Sequence, residues 1–106
     1  MKLKEFEEAR ALLEYVVQGL TGISGEEDEQ TLSAANSLAH ARHNCGDFAG
    51  AVVLLKTIVD AYRRKHGVDS NITRKAAEAL AVIEQEQKMA IEGAVRSFFD
   101  RPPAAQ

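Results

Sequence analysis

Three histidines and a single cysteine are the side chains best suited to metal or nucleophilic chemistry in this chain of 106 residues. His40-Ala-Arg-His43 sets two imidazoles about one turn apart on a helix, with Cys45 and His66 nearby in sequence. Zinc favours such ligands, but a site needs a second pair to complete it. Neither C-x-x-C nor H-x-x-x-H occurs, so these read as partly exposed groove histidines and no metal or other cofactor is expected. Cys45 beside His43 suggests a nucleophile and its base. No orienting third group or oxyanion cradle accompanies it, and Cys45 precedes the turn residue Gly46, so a packing role is expected and no enzymatic activity. A helical phosphotransfer domain, with His40 or His43 taking the phosphoryl group, is the alternative from another class. It lacks an activating lysine in the right place.

Other clusters have structural explanations. Gly19, Gly22 and Gly25 lack the Gly-Lys-Ser/Thr ending and preceding strand of a phosphate loop. Glu26-Glu27-Asp28-Glu29 lacks the alternating spacing of a calcium loop and suits a helix N-terminus. Arg63-Arg64-Lys65-His66 suits a helix C-terminus. The net charge is −3, distributed as −5 over residues 1–30, +4 over 31–75 and −2 over 76–106. That balance argues against a dedicated nucleic-acid binder, which carries a net basic footprint. The uncharged apolar run Ala49 to Leu55 is too short for a bilayer, so no membrane partner is expected. The charged N-terminus does not resemble a secretory signal. With one cysteine unable to pair internally, a reducing, cytoplasmic setting is expected.

The elements that position these residues follow from periodicity. Leu3, Phe6, Leu13, Val16 and Leu20 recur at three- and four-residue steps and predict a helix over about 2–20, broken by the three glycines. A second helix is predicted over 29–45, capped by Asp28 or Ser24, with Leu32, Ala35, Leu38, Ala39 and the stem of Arg42 on its apolar side. Gly46 stops it, and Asp47 caps a third helix over 48–66 that buries Phe48, Ala51, Val52, Leu55, Ile58, Val59 and Tyr62 and ends at Gly67. Ser70 or Asn71 caps a fourth, over about 72–99. Arg101-Pro102-Pro103 ends it, leaving a frayed, flexible tail over 101–106. The expected fold is therefore all-α, a single domain over 1–100 of four antiparallel helices with a C-terminal extension.

The chain also repeats itself at one fixed offset, the step from Phe6 to Phe48. At that offset Ala9 falls on Ala51, Leu12-Leu13 on Leu54-Leu55, Val17 on Val59 and Gly25 on Gly67. Thr31 falls on Thr73, Ala34-Ala35 on Ala76-Ala77, and Leu38-Ala39 on Leu80-Ala81. A fixed period of this size marks stacked-repeat proteins, which present surfaces to partners. The overlay fails after residue 85: Gly46 maps onto Lys88 and Phe48 onto Ala90, so the turn between helices two and three has no counterpart.

The segment from Thr31 to Ala51, T-L-S-A-A-N-S-L-A-H-A-R-H-N-C-G-D-F-A-G-A, resembles the tetratricopeptide repeat in the long-period form seen in kinesin light chains and related adaptors. The resemblance covers residues 1 to about 85, in the helix order B, A, B, A. Leu38 and Ala39 stand at the tight helix-packing position, Gly46 at the turn, and Phe48 and Ala51 where the second helix approaches. The resemblance implies an α-solenoid fragment acting as an adaptor or scaffold, with a protein or peptide partner on the concave face lined by the first helix of each pair. On this chain that face comprises Ser33, Asn36, His40 and Asn44 from helix two, and Lys75, Glu78, Val82 and Glu86 from helix four. Asn36 matches the family asparagine that grips a peptide backbone, and its amide both donates and accepts.

Ile91, Val95, Phe98 and Phe99 form an apolar face on the extension with little partner surface in so short a stack. Such patches mark interfaces. Self-association is expected, most simply as a symmetric homodimer through these four residues. A purely structural assembly role is a further alternative.

Overall fold

A computed structural model describes residues 2–100 as four α-helices in chain order. They are α1 (Leu3–Ser24), α2 (Glu29–Asn44), α3 (Phe48–His66) and α4 (Asn71–Phe99). No strand occurs among the described residues, so the all-α expectation holds. The expected tail over 101–106 lies outside the described residues.

The connections follow local chemistry. At the start of α2, Asp28 rather than Ser24 is the cap, and its Oδ2 accepts from the Gln30 N–H at 3.0 Å. Asp47 caps α3, accepting from the Gly50 N–H at 2.9 Å. Ser70 takes the cap position of α4 without a side-chain cap bond. Gly25, Gly46 and Gly67 adopt φ of 92°, 84° and 83°, a left-handed region costly for any residue with a Cβ. Gly25 and Gly67 hold equivalent positions in the repeat and end α1 and α3 alike.

Three boundaries correct the sequence reading. The first helix does not stop at residue 20: α1 runs on through Gly19 and Gly22 to Ser24. A glycine inside a helix costs only about 1 kcal/mol relative to alanine, so packing along one side carries the helix past both. The second helix ends at Asn44, with Cys45 as its cap residue. The fourth starts one residue earlier than expected and reaches Phe99 without interruption.

Each helix packs chiefly against its neighbours in sequence, α1 on α2, α2 on α3 and α3 on α4. The radius of gyration is 17.0 Å. A compact domain of this length would have about 13 Å, so the molecule is elongated, as a stack is. Its long dimension of 62 Å owes much to α4, whose 29 residues span roughly 43 Å at 1.5 Å each.

The core lies between α2 and α3 and is closed by α4. Ala39, Ala51 and Leu55 are completely buried, with Leu32, Ile58, Val59, Ala61 and Ile83 around them. Alanine at the crossing lets the α2 and α3 backbones approach closely, leaving larger side chains to fill the flanks. Phe48, expected in the core, is half-buried against it. Arg42 contributes more than its stem: its Nη1 donates to the Gly50 carbonyl at 3.2 Å, tying α2 to the first turn of α3. No residue of α1 is fully buried.

The period reappears in side-chain geometry. Thr31 and Thr73, equivalent in the repeat, are both buried, and neither hydroxyl has a hydrogen-bond partner among the described residues. Glu14 of α1 approaches Arg42 of α2 at 3.8 Å, and at the equivalent positions Lys56 of α3 approaches Glu84 of α4 at 3.9 Å. The two pairs have opposite polarity. Each docked helix therefore meets a matching charge from its own neighbour and a like charge from the other site.

Candidate functional site

One groove gathers residues from three helices. It encloses about 370 Å3 between α2 and α4. Ser33, Asn36 and His40 line it from α2, one per turn along a single face. Ile72, Lys75, Ala76 and Ala79 line it from α4, and Tyr62 of α3 contributes between them. Ser33, His40 and Lys75 are exposed and Asn36 is half-buried. No carboxylate lies within ion-pair distance of Lys75 or His40 among the described residues.

Four of the eight residues selected from the sequence thus come together: Ser33, Asn36, His40 and Lys75. Four do not line the groove, Glu86 among them, which instead meets His43. Asn44 is exposed at the last turn of α2, beyond the groove's end. Val82 continues the stripe of Lys75 and Ala79 but lies past that end, 57% exposed. Glu78 precedes Ala79 by one residue, which turns it about 100° around the helix.

Tyr62, Ile72, Ala76 and Ala79 were not selected. Tyr62 was assigned to the core by its periodicity, and most of it is there. Burial, and to a lesser degree Glu29, raises the pKa of its phenol above the ordinary 10.0. A tyrosine has an apolar body and a polar tip, so one side chain can serve both environments.

At the far end of α2, His43 Nε2 lies 2.5 Å from Glu86 Oε2, and its ring centroid lies 5.4 Å from that of Phe48. The pair spans α2 to α4. Outside the groove, the end of α3 is fastened to the loop before α2. Arg64 pairs with Glu27, and Lys65 with both the Glu27 carbonyl and Glu29. His66 Nε2 is 2.8 Å from Glu29 Oε1. The basic run therefore meets the acidic run directly.

Those contacts depress the Glu29 pKa below its ordinary 4.5, the His66 hydrogen bond most and Lys65 next. A carboxylate with a depressed folded-state pKa contributes stability above its unfolded pKa and loses it as pH falls through the folded value. The melting temperature should therefore begin to fall below pH 4.5, and Glu29→Gln should flatten part of that acid limb. An unchanged pH profile in Glu29→Gln would show that the clamp does not hold in solution. The expected change is small because the pair is exposed to solvent.

The three histidines are dispersed: His40 lines the groove, His43 meets Glu86, and His66 meets Glu29. Among the described residues no three His, Cys, Asp or Glu side chains group as metal ligands would. Cys45 is a half-buried free thiol. No described helix is long and apolar enough to cross a membrane. No family model, curated protein or solved structure matches the chain. The groove's own chemistry is therefore the guide to what it does.

Proposed function

We propose that the chain is a protein-interaction module of tetratricopeptide-repeat type, without catalytic activity, in which the groove between α2 and α4 receives a segment of a partner protein. One observation supports this reading above the others. Four residues selected from two helices of the repeat line a single open groove, although α2 and α4 pack chiefly through α3 rather than on each other. A groove of about 370 Å3 matches a few side chains of a peptide rather than a folded domain. Its lining mixes an apolar floor at Ile72, Ala76 and Ala79 with hydrogen-bonding groups at Ser33, Asn36, His40 and the Tyr62 phenol. That combination takes an apolar anchor and fixes the adjoining backbone.

The test is a peptide selected against the whole chain from a random display library, with affinity read by fluorescence anisotropy. Asn36→Ala and His40→Ala should each weaken it roughly 10-fold, the loss of about 1.4 kcal/mol expected of a central interface residue. The melting temperature should hardly move, because neither residue belongs to the packed core. If both variants destabilise the fold strongly, the two side chains are structural and the groove is elsewhere.

A further inference from the structure

The repeat supplies its own template for a second contact, independent of the groove. In the repeat register that sets Phe6 on Phe48, α1 corresponds to α3 and the first half of α4 corresponds to α2. Within the chain α3 docks on α2. Where α3 meets α2, Leu54 and Ile58 of α3 line a small cavity with Leu32 and Ala35 of α2, completed by Val17 and Thr21 of α1, and Ile58 and Ala61 are only 1% and 2% exposed. The equivalent residues of α1 are Leu12, Val16 and Gly19. Leu12 and Gly19 face solvent, Leu12 at 65% exposure, while Val16 is half-buried; beside them Tyr15 is 76% and Ile23 84% exposed. Tyr15, Val16, Gly19 and Ile23 line an open trough of about 590 Å3 along the helix.

The other half of the template is uncovered as well. Ala35 and Ala39 of α2, buried under α3, correspond to Ala77 and Ala81 of α4. Ala77 is half-buried and Ala81 exposed. Ala81 and Ala9 occupy the positions of Ala39 and Ala51, the fully buried pair that sets the α2–α3 crossing. We infer that α1 of one copy docks on the first half of α4 of a second copy, reproducing the α2–α3 interface between molecules and continuing the B, A, B, A alternation. In that register Lys88 takes the place of Gly46 and Glu5 that of Asp47, neighbours in the α2–α3 turn, so opposite charges meet across the new contact. Glu84 and Glu8 take the places of Arg42 and Gly50, and Arg74 takes that of the buried Leu32. The like-charged contact at the rim, offset by the Lys56–Glu84 pair, and the arginine in place of a leucine keep the association weak.

Such a contact is head-to-tail. It leaves one α1 face and one α4 face free at the ends, so assemblies lengthen with concentration unless they close into a ring. The symmetric pairing expected through Ile91, Val95, Phe98 and Phe99 remains a distinct outcome. All four are exposed.

The experiment is sedimentation velocity on the whole chain from low micromolar to millimolar concentration, with far-UV circular dichroism confirming helicity. The chain should grow in mass with concentration. Leu12→Glu and Ala81→Arg should each sediment as monomers, and Phe98→Glu should behave as the parent. The decisive sample is an equimolar mixture of the first two variants. Each retains one intact face, so the mixture should give a species of two chains and nothing larger. Should Leu12→Glu lose helicity, Gly19→Arg replaces it, at the position equivalent to the buried Ala61, where a Cβ meets nothing within 4 Å. A parent chain that stays monomeric at millimolar concentration overturns the inference. So does a mixture that forms no two-chain species, or dissociation by Phe98→Glu alone, which would assign the contact to the extension.

Discussion

Leu38→Asp is expected to leave the chain largely unfolded. Leu38 is 3% exposed on α2, within the packing that holds α2 to its neighbours. Truncating a buried leucine costs about 2–5 kcal/mol through lost burial and the cavity left behind. Aspartate adds the cost of taking a carboxylate out of water, several kcal/mol unless the group stays protonated. A domain of this length is stable by only about 5–15 kcal/mol, and one with an elongated shape and an uncovered α1 belongs near the lower end. The change should therefore remove most of the far-UV helical signal at neutral pH. Val53→Asp is the control, because Val53 lies on the solvent side of α3 at 65% exposure. Surface changes of that kind stay within about 0.5 kcal/mol. A urea titration in which Leu38→Asp costs less than about 1 kcal/mol would contradict the assignment of faces on α2.

Ala51→Trp is expected to be as damaging by the opposite route. Ala51 is completely buried at the α2–α3 crossing, among Leu32, Ala35, Ala39 and Leu55. A single extra methylene in a filled core costs about 1–3 kcal/mol, and an indole cannot enter without separating the helices. Separation would also break the bond from Arg42 to the Gly50 carbonyl. The loss should exceed about 3 kcal/mol and appear as a lower denaturation midpoint or absence of a cooperative transition. A well-folded Ala51→Trp protein of near-parental stability would mean that the crossing is not where the repeat register places it.

Much of this fold was legible because a few residues dictate it. Gly46 and Gly67 mark turns that need a positive φ, and Asp28 and Asp47 carry the side chains that cap the next helix. The alanines at 39 and 51 identify the crossing before any coordinate is known. The end of α1 was not legible, since Gly19 and Gly22 look like breakers and only the tertiary support along the helix shows that they are not. Periodicity assigned each position on α2 and α4 to a face but not to a depth along the groove. Lys75 is therefore in it, while Val82 is beyond its end. The His43–Glu86 contact joins helices far apart in sequence, and no spacing rule reaches across α3 to reveal it. Tyr62 was hidden because its periodic position reports burial of its ring and says nothing of its hydroxyl.

The central claim is that the groove between α2 and α4 is the recognition surface. It is tested most directly by an amide chemical-shift map of the isotopically labelled chain titrated with the display-selected peptide. The largest changes should cluster at Ser33, Asn36, His40, Lys75 and Ala79, and the same titration of Asn36→Ala should leave those resonances nearly still. Changes confined to the outer face of α1 or to the α4 extension, with the groove resonances unmoved, would contradict the account.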